Sequence, residues 1–121
     1  MKQLLLYNLK NEKGKQIEEV CFSLHIGVLH IQPEEYLEQI GALAGFNGFS
    51  KKEAPACGVV FDDEMILFGE LLPKEIHTVL DALRNAHLHV ALKAALTRHN
   101  IHWNSLQLHK ELLDEQKALE D

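Results

Sequence analysis

The feature that most constrains the fold is a pattern that occurs twice along the chain. Two short apolar runs, LLLY at 4–7 and MILF at 65–68, each precede a segment with one apolar helical face. Those faces are spaced i, i+3, i+4 and i+7, and consist of Ile17, Val20, Cys21 and Leu24 in the first half and Ile76, Val79, Leu80 and Leu83 in the second. In each half a second strand and a second helix follow. The sequence therefore predicts two βαβ units.

Proline, glycine and helix-capping residues mark the boundaries of the other predicted helices and strands. The predicted strands are 4–7, 28–31, 65–68 and 89–92, and the first helices of the two units cover about 15–25 and 73–86. Pro33 suits the first position of a helix, which we expect to continue through Ala44 and end at Gly45. Asn104 and Gln107 form a capping-box pattern, which starts the last helix.

The length of 121 residues predicts a single α/β domain over 1–121. Residues 46–63 form an internal connection in which 59–61 could add a short strand, and 114–121 form a charged C-terminal tail. If the connection carries the chain back, the units interlock in one four-stranded α+β sheet, ferredoxin-like with an extra helix. Right-handed crossovers then put the helices at 15–25 and 73–86 on one face. The alternative is an open doubly wound parallel sheet, with those helices on opposite faces.

Charge and composition exclude several classes of function. The net charge of −6 argues against nucleic-acid binding and against docking on anionic membranes, which both need clustered Lys and Arg. The chain has no apolar run near the length of a membrane span and no signal-peptide pattern. Cys21 and Cys57 are too far apart for a redox motif, so we expect a cytoplasmic protein. Phosphate-loop and serine-hydrolase motifs are absent from the sequence, and we expect no cofactor.

The stretch LKAALTRHNIHWN at 92–104 is the candidate site. Its polar and aromatic residues are Lys93, Thr97, Arg98, Asn100 and Trp103. Strand ends and helix N-termini both favour ligands, so these residues could bind a small anion. Alternatively, Thr97 and Asn100 bond the backbone of a turn, Trp103 fills the core, and the stretch is only structural.

The same stretch resembles a known family. The pattern K-A-x-x-T-x-x-N-x-x-W is similar to the closing motif of a bacterial, mainly Firmicutes, family of small domains of unknown function. The segments FDDEMILFGEL and LHKELLDEQ fit the same family, as do YNL and IGALAG in the first half. The family usually has proline after the threonine, where this chain has Arg98. The resemblance implies no established activity.

Two further clusters raise the question of metal. Among the 8 histidines, His87 and His89 would share one face of a strand, and His99 and His102 would lie in the turn. We predict that these four do not converge on one ion. Asp62, Asp63 and Glu64 form an acidic group typical of a solvated loop, so the sequence predicts no metal site.

These observations favour a binding or regulatory domain that is not an enzyme. Its partner would be a protein or a small anionic ligand, and a homodimer is left open. The alternative is an anion-binding domain centred on Lys93, Thr97 and Asn100. A concave site around those three side chains would favour that alternative, and an exposed apolar patch elsewhere would favour a protein partner.

Overall fold

The computed structural model describes residues 2–52 and 58–120. Its strands are β1 (Gln3–Tyr7), β2 (Gly27–Ile31), β3 (Met65–Gly69) and β4 (Leu92–Ala95), and its helices are α1 (Glu12–Ser23), α2 (Ile40–Leu43), α3 (Pro73–Asn85) and α4 (Ser105–Glu120). Short 3-10 helices occur at Pro33–Glu35 and Asn100–His102. In this part of the chain, no helix has both the length and the apolar character needed to cross a membrane.

The four strands form one open sheet in the order β2-β1-β3-β4. Within each unit the two strands are parallel neighbours, and β1 and β3 join the units antiparallel, with Leu5 opposite Leu67. The predicted α+β sheet built from two βαβ units is therefore confirmed. The two units lie side by side and do not interlock. The antiparallel centre also excludes the fully parallel, doubly wound alternative.

The first helices of both units lie on the same face of the sheet, as predicted. One buried core combines Ile17 and Cys21 of α1, Val79 and Leu83 of α3, and the strand residues Leu4, Leu6, Ile66 and Phe68. Antiparallel β1 and β3 relate the units by an approximate half-turn about an axis normal to the sheet. Such an operation leaves both right-handed crossovers on one side.

The second halves of the units cover the other face. There Leu5, Tyr7, Met65 and Leu67 pack against Ile40 and Leu43 of α2 and Leu108 of α4. The predicted capping box of α4 is confirmed, because Asn104 Oδ1 accepts from the Gln107 amide at 2.9 Å and Gln107 Oε1 accepts from the Asn104 amide at 2.8 Å. The helix continues through the predicted charged tail to Glu120.

The two units correspond position by position at a spacing of 62 residues. Asn8 and Glu70, which follow β1 and β3, both have positive φ angles, of 60° and 58°. His25 and His87, which follow α1 and α3, have φ angles of 60° and 59°. These residues make the same left-handed turns in each unit. The repeat visible in the sequence is thus a repeat of backbone geometry.

The prediction for the fourth strand was wrong by three residues. Gln3 of β1 pairs with Gly27, and the residue 62 positions after Gly27 is His89, where the strand was expected. Instead Met65 pairs with Leu92, so three additional residues precede β4. His87 occupies the turn after α3 and His89 lies in an irregular segment. These two histidines therefore do not share a strand face.

Two other local predictions were also wrong. The single helix expected from Pro33 to Ala44 is broken, because Gln39 is extended and forms an isolated antiparallel bridge with Asn104. The Ile40 amide then donates to the Trp103 carbonyl at 2.8 Å. Residues 58–61 form no strand, although Phe61 is buried. Cys57 lies outside the described residues.

Candidate functional site

The additional residues before β4 border an open groove of about 510 Å³. The groove lies between the C-terminal half of α3 and the segment that leads into β4. Among the described residues it is lined by Leu80, Leu83, Arg84, His87, Leu88, His89, Val90 and Lys93. In the first unit the chain enters β2 directly at Gly27, so the corresponding segment is shorter.

The floor of the groove is apolar and continuous with the core. Leu83, Leu88 and Val90 are buried and belong to the core beneath α1 and α3, and Leu80 packs against that core. An apolar concave floor with a few polar groups around it is the usual composition of a small-molecule site. The groove can therefore accept the apolar part of a ligand.

The polar residues around this floor are all nitrogen bases. Arg84, His87 and His89 are exposed at its margin and Lys93 lies further in, and none of the eight lining residues is acidic. Arg84 also pairs with Asp81 at 3.0 Å on the solvent side of α3. Cations near a helix C-terminus are common, because they complement the helix dipole. His89 and Lys93 lie outside α3, so the concentration of bases exceeds what helix capping requires.

Lys93 is the innermost of these bases. Its Cα partner in β3 is Ile66, which belongs to the core on the α1 and α3 side, so Lys93 points to that side of the sheet. Its Nζ donates to the Val90 carbonyl. Burial lowers the pKa of Lys93 from its ordinary value. The side chain thus has its amine at the base of the groove, in a partly desolvated position.

A second lysine holds the groove-forming segment against the first unit. Lys13, in the first turn of α1, donates to the His89 carbonyl at 2.9 Å and to Glu64 Oε1 at 2.6 Å. The segment between α3 and β4 is therefore tied to the start of α1. Through this contact, the first βαβ unit holds one wall of the groove in place.

Thr97 and Asn100 form a hydrogen-bonded turn beyond the C-terminal end of β4. Thr97 Oγ1 accepts from the amides of His99 at 3.2 Å and Asn100 at 3.1 Å. Asn100 Oδ1 accepts from the Thr97 amide at 2.8 Å, and its Nδ2 donates to the Ala95 carbonyl at 2.9 Å. Asn100 is only 6% exposed. The predicted structural role of both side chains, pairing with backbone groups of the turn, is confirmed.

The structure therefore separates the residues of the sequence-predicted site. Lys93 lines the groove and reaches toward Val90, at the N-terminal side of β4. Thr97, Arg98 and Asn100 lie past the other end of that strand, with Arg98 exposed. Trp103 is half-buried, less than predicted, and packs against the core beneath α2 and α4.

Asp63 and Glu64 of the acidic group make separate ion pairs. Asp63 pairs with His109 at 2.8 Å, and the His109 ring stacks on Phe61 with centroids 3.9 Å apart. Glu64 pairs with Lys13. Across residues 2–52 and 58–120, no three His, Cys, Asp or Glu side chains come together in a way that could hold a metal ion.

Sequence reasoning found Lys93 but missed its neighbours in the groove. Arg84 lies on the solvent face of a predicted helix, and His87 and His89 were considered only as metal ligands. The usable signal was the short interval between 84 and 93, which contains four nitrogen bases and no acidic residue. The concavity itself depends on the register of β4 and could not be derived from that interval.

Comparison with known proteins identifies a domain but no activity. No curated protein and no solved structure matches the chain. The described groove residues, from Leu80 to Lys93, fall in the second βαβ unit, whereas the first unit contributes Lys13 only as a support. That second unit, together with α4, corresponds to a recognised domain: a domain of unknown function, DUF3783, is found at residues 64–119.

Proposed function

We propose that this protein is a binding domain, not an enzyme, that holds a small organic anion in the groove between α3 and β4. The observation that carries the proposal is the pairing of an apolar floor with four nitrogen bases and no acidic side chain. Two of these bases, Arg84 and Lys93, are cations at neutral pH, in a chain where the 18 Asp and Glu outnumber the 12 Lys and Arg. The ligand would place its apolar part on Leu83, Leu88 and Val90.

The anionic group of the ligand would lie near Lys93, with Arg84 and the two histidines around it. A bound carboxylate or phosphate would exchange solvent for charge-assisted hydrogen bonds, which are stronger than neutral ones. Thr97 and Asn100 belong to the scaffold in this proposal, because their side chains already bond the turn. The proposed site thus retains Lys93 from the sequence-based hypothesis, but Arg84, His87 and His89 take the place of Thr97 and Asn100.

Thermal denaturation with matched ligands tests the proposal. We expect octanoate to raise the melting temperature and octanol, which has the same chain but no charge, to raise it much less. A ligand at about 100 times its Kd stabilises the native state by about 2.7 kcal/mol. Inorganic phosphate serves as an anion without an apolar part. Equal shifts with octanoate and octanol would contradict an anion site.

Matched variants locate the site. Lys93→Met should remove most of the octanoate shift, whereas Arg98→Gln, which removes an exposed cation outside the groove, should leave it unchanged. If the two variants behave alike, the groove is not where the anion binds.

Location and distribution are part of the same proposal. A cytoplasmic protein is supported by Cys21, a free cysteine buried in the core beneath α1. We further infer a bacterial, mainly Firmicutes, distribution with the Lys93-to-Trp103 motif as a signature, on the resemblance described above.

A further inference from the structure

The amine of Lys93 lies in the groove between α3 and β4, next to the apolar floor. Its Nζ donates to the carbonyl of Val90, which is itself a buried residue of that floor. The Lys93 side chain is half-buried, and burial lowers its pKa. A larger fraction of the amine is therefore neutral at a given pH. A neutral lysine amine is a nucleophile, whereas an ammonium group is not.

The surroundings of Lys93 distinguish it from the other lysines. Among the described residues, the other lysines are exposed except Lys13, and Lys13 pairs with Glu64 at 2.6 Å. Lys93 forms no ion pair with any carboxylate in the part of the chain that the structure describes. A carboxylate would stabilise the ammonium form. A neutral Lys93 amine donates one N–H to the Val90 carbonyl and keeps its lone pair available.

The bases beside Lys93 determine which carbonyl compound suits the groove. Arg84 lies at the margin, and a guanidinium group can hold a carboxylate through two parallel hydrogen bonds. A ligand whose carboxylate lies beside Lys93 brings its next carbon atom to the amine. In a 2-oxo acid, that next atom is the carbonyl carbon. The remainder of the ligand would then lie over Leu83 and Leu88, so its chain must be apolar.

We propose that Lys93 captures a 2-oxo acid with an apolar chain as an imine in this groove. The inference rests on the proposed function, because the groove must first hold the carboxylate. The Lys93 nitrogen attacks the carbonyl carbon and forms a C–N bond, and the electron pair of the C=O bond moves to oxygen. That oxygen then leaves as water with the two protons of the neutral amine, and a C=N bond remains. Hydrolysis reverses these steps and releases the ligand unchanged, so no oxidant or reductant is consumed.

Reductive trapping tests the imine. Cyanoborohydride reduces an imine to a stable secondary amine, and peptide mass spectrometry then locates the label. We expect 2-oxooctanoate to label Lys93 at least about tenfold more than Lys117, an exposed lysine of α4, because a bound ligand holds its carbonyl at the amine. The ketone 2-octanone, which has a methyl group in place of the carboxylate, should show no such preference. Equal labelling of the two lysines by 2-oxooctanoate would overturn the proposal, and so would an equal preference with 2-octanone.

A conservative variant separates imine formation from anion binding. Lys93→Arg keeps a cation in the groove, but a guanidinium group forms no imine under these conditions. The variant should retain the rise in melting temperature with octanoate and lose the selective label from the intact protein. Lys117→Arg is the matched control and should retain both. A selective label that persists in Lys93→Arg would overturn the proposal.

Competition in the wild-type chain covers the case in which a substitution disturbs folding. Octanoate, which lacks the ketone, should suppress labelling of Lys93 by 2-oxooctanoate and leave labelling of Lys117 unchanged. Labelling of Lys93 that octanoate does not suppress would overturn capture in the anion-binding groove. An octanoate shift in melting temperature without selective labelling of Lys93 would overturn the imine alone, whereas the absence of any octanoate shift would overturn the proposed function as well.

Discussion

The two βαβ units share the same backbone geometry, but they differ in the segment that leads from the helix to the second strand. In the first, α1 leads through the turn at His25 almost directly into β2, which leaves an open edge flanked by Phe22 and Leu29. In the second, three further residues follow the equivalent turn at His87, and a groove lies beside Lys93. A small difference in length between two units of the same backbone geometry thus separates an open strand edge from a concave groove.

The largest expected effect comes from a substitution at the start of the first helix, where the two units differ. Gly14 lies against Leu9, and a Cβ there would overlap the Leu9 carbonyl. The position 62 residues later is Ile76, which is accommodated next to the core. We expect Gly14→Ala to lower the free energy of unfolding by about 3 kcal/mol or more, because the clash is with backbone.

Urea denaturation measures this effect. Gly58→Ala is the control, since a Cβ at Gly58 meets nothing within 4 Å. Its free energy of unfolding should stay within about 0.5 kcal/mol of wild type. A similar loss of free energy of unfolding in both variants would show that the contact between Gly14 and the Leu9 carbonyl is not the cause of the effect.

The turns after β2 and β4 allow a second comparison. Asn100 Oδ1 accepts from the Thr97 amide three residues earlier, and Glu35 Oε1 accepts from the Gln32 amide, also three residues earlier, at 3.0 Å. Asn100 is buried and makes a further bond to Ala95, whereas Glu35 is more exposed. We expect Asn100→Ala to cost about 2–3 kcal/mol, because it strands two backbone groups.

Glu35→Gln is the counterpart in the first unit and should cost less than about 1 kcal/mol, because exposed ion pairs contribute little. Urea denaturation of both variants at neutral pH would measure the two losses in free energy of unfolding. A larger loss for Glu35→Gln than for Asn100→Ala would contradict the role assigned to burial.

The smallest effect concerns pH. Burial alone would raise the pKa of Glu35, but the Lys51 ammonium at 2.7 Å and the Gln32 amide outweigh it, so the pKa lies below its ordinary value. A carboxyl with a lowered pKa stabilises the fold above its unfolded pKa of about 4.3, and this contribution disappears as pH falls through the folded value. The amide of Asn100 has no such dependence.

We therefore expect wild type to exceed Glu35→Gln in melting temperature at pH 7 and to equal it at about pH 2. Lys51→Met should reproduce part of the loss at pH 7. A difference between wild type and Glu35→Gln that stays constant across this range would show that the charge of Glu35 is irrelevant.

Local patterns were sufficient for most elements. β1, β2, β3, α1, α3 and the start of α4 follow from apolar periodicity and caps, because each buries a face that its own sequence defines. The placement of α1 and α3 on one face followed from handedness. β4 was misplaced because Val90 and Leu92 alternate with polar or small residues in either register, and only pairing with Met65 selects the observed one.

Long-range contacts explain the other differences. Nothing near Gln39 ends a helix, and the break depends on its bridge to Asn104, far along the chain. For the site, the roles of Thr97 and Asn100 could be predicted, since Thr and Asn side chains bond neighbouring backbone in turns. The groove could not be predicted from the sequence, because α3 and the residues before β4 form its walls and Lys13 supports one of them.

The antiparallel contact between β1 and β3 also has a consequence for the order of folding. Each unit closes over a short stretch, from Gln3 to Gly27 and from Met65 to Leu92, whereas the pair of Gln3 and Gly69 spans more than half of the chain. Contacts between distant residues form late, because the entropy of loop closure opposes them. Doubling a flexible loop adds only about 0.6 kcal/mol to that entropy cost. Insertions in the segment between α2 and β3 should therefore slow folding only slightly.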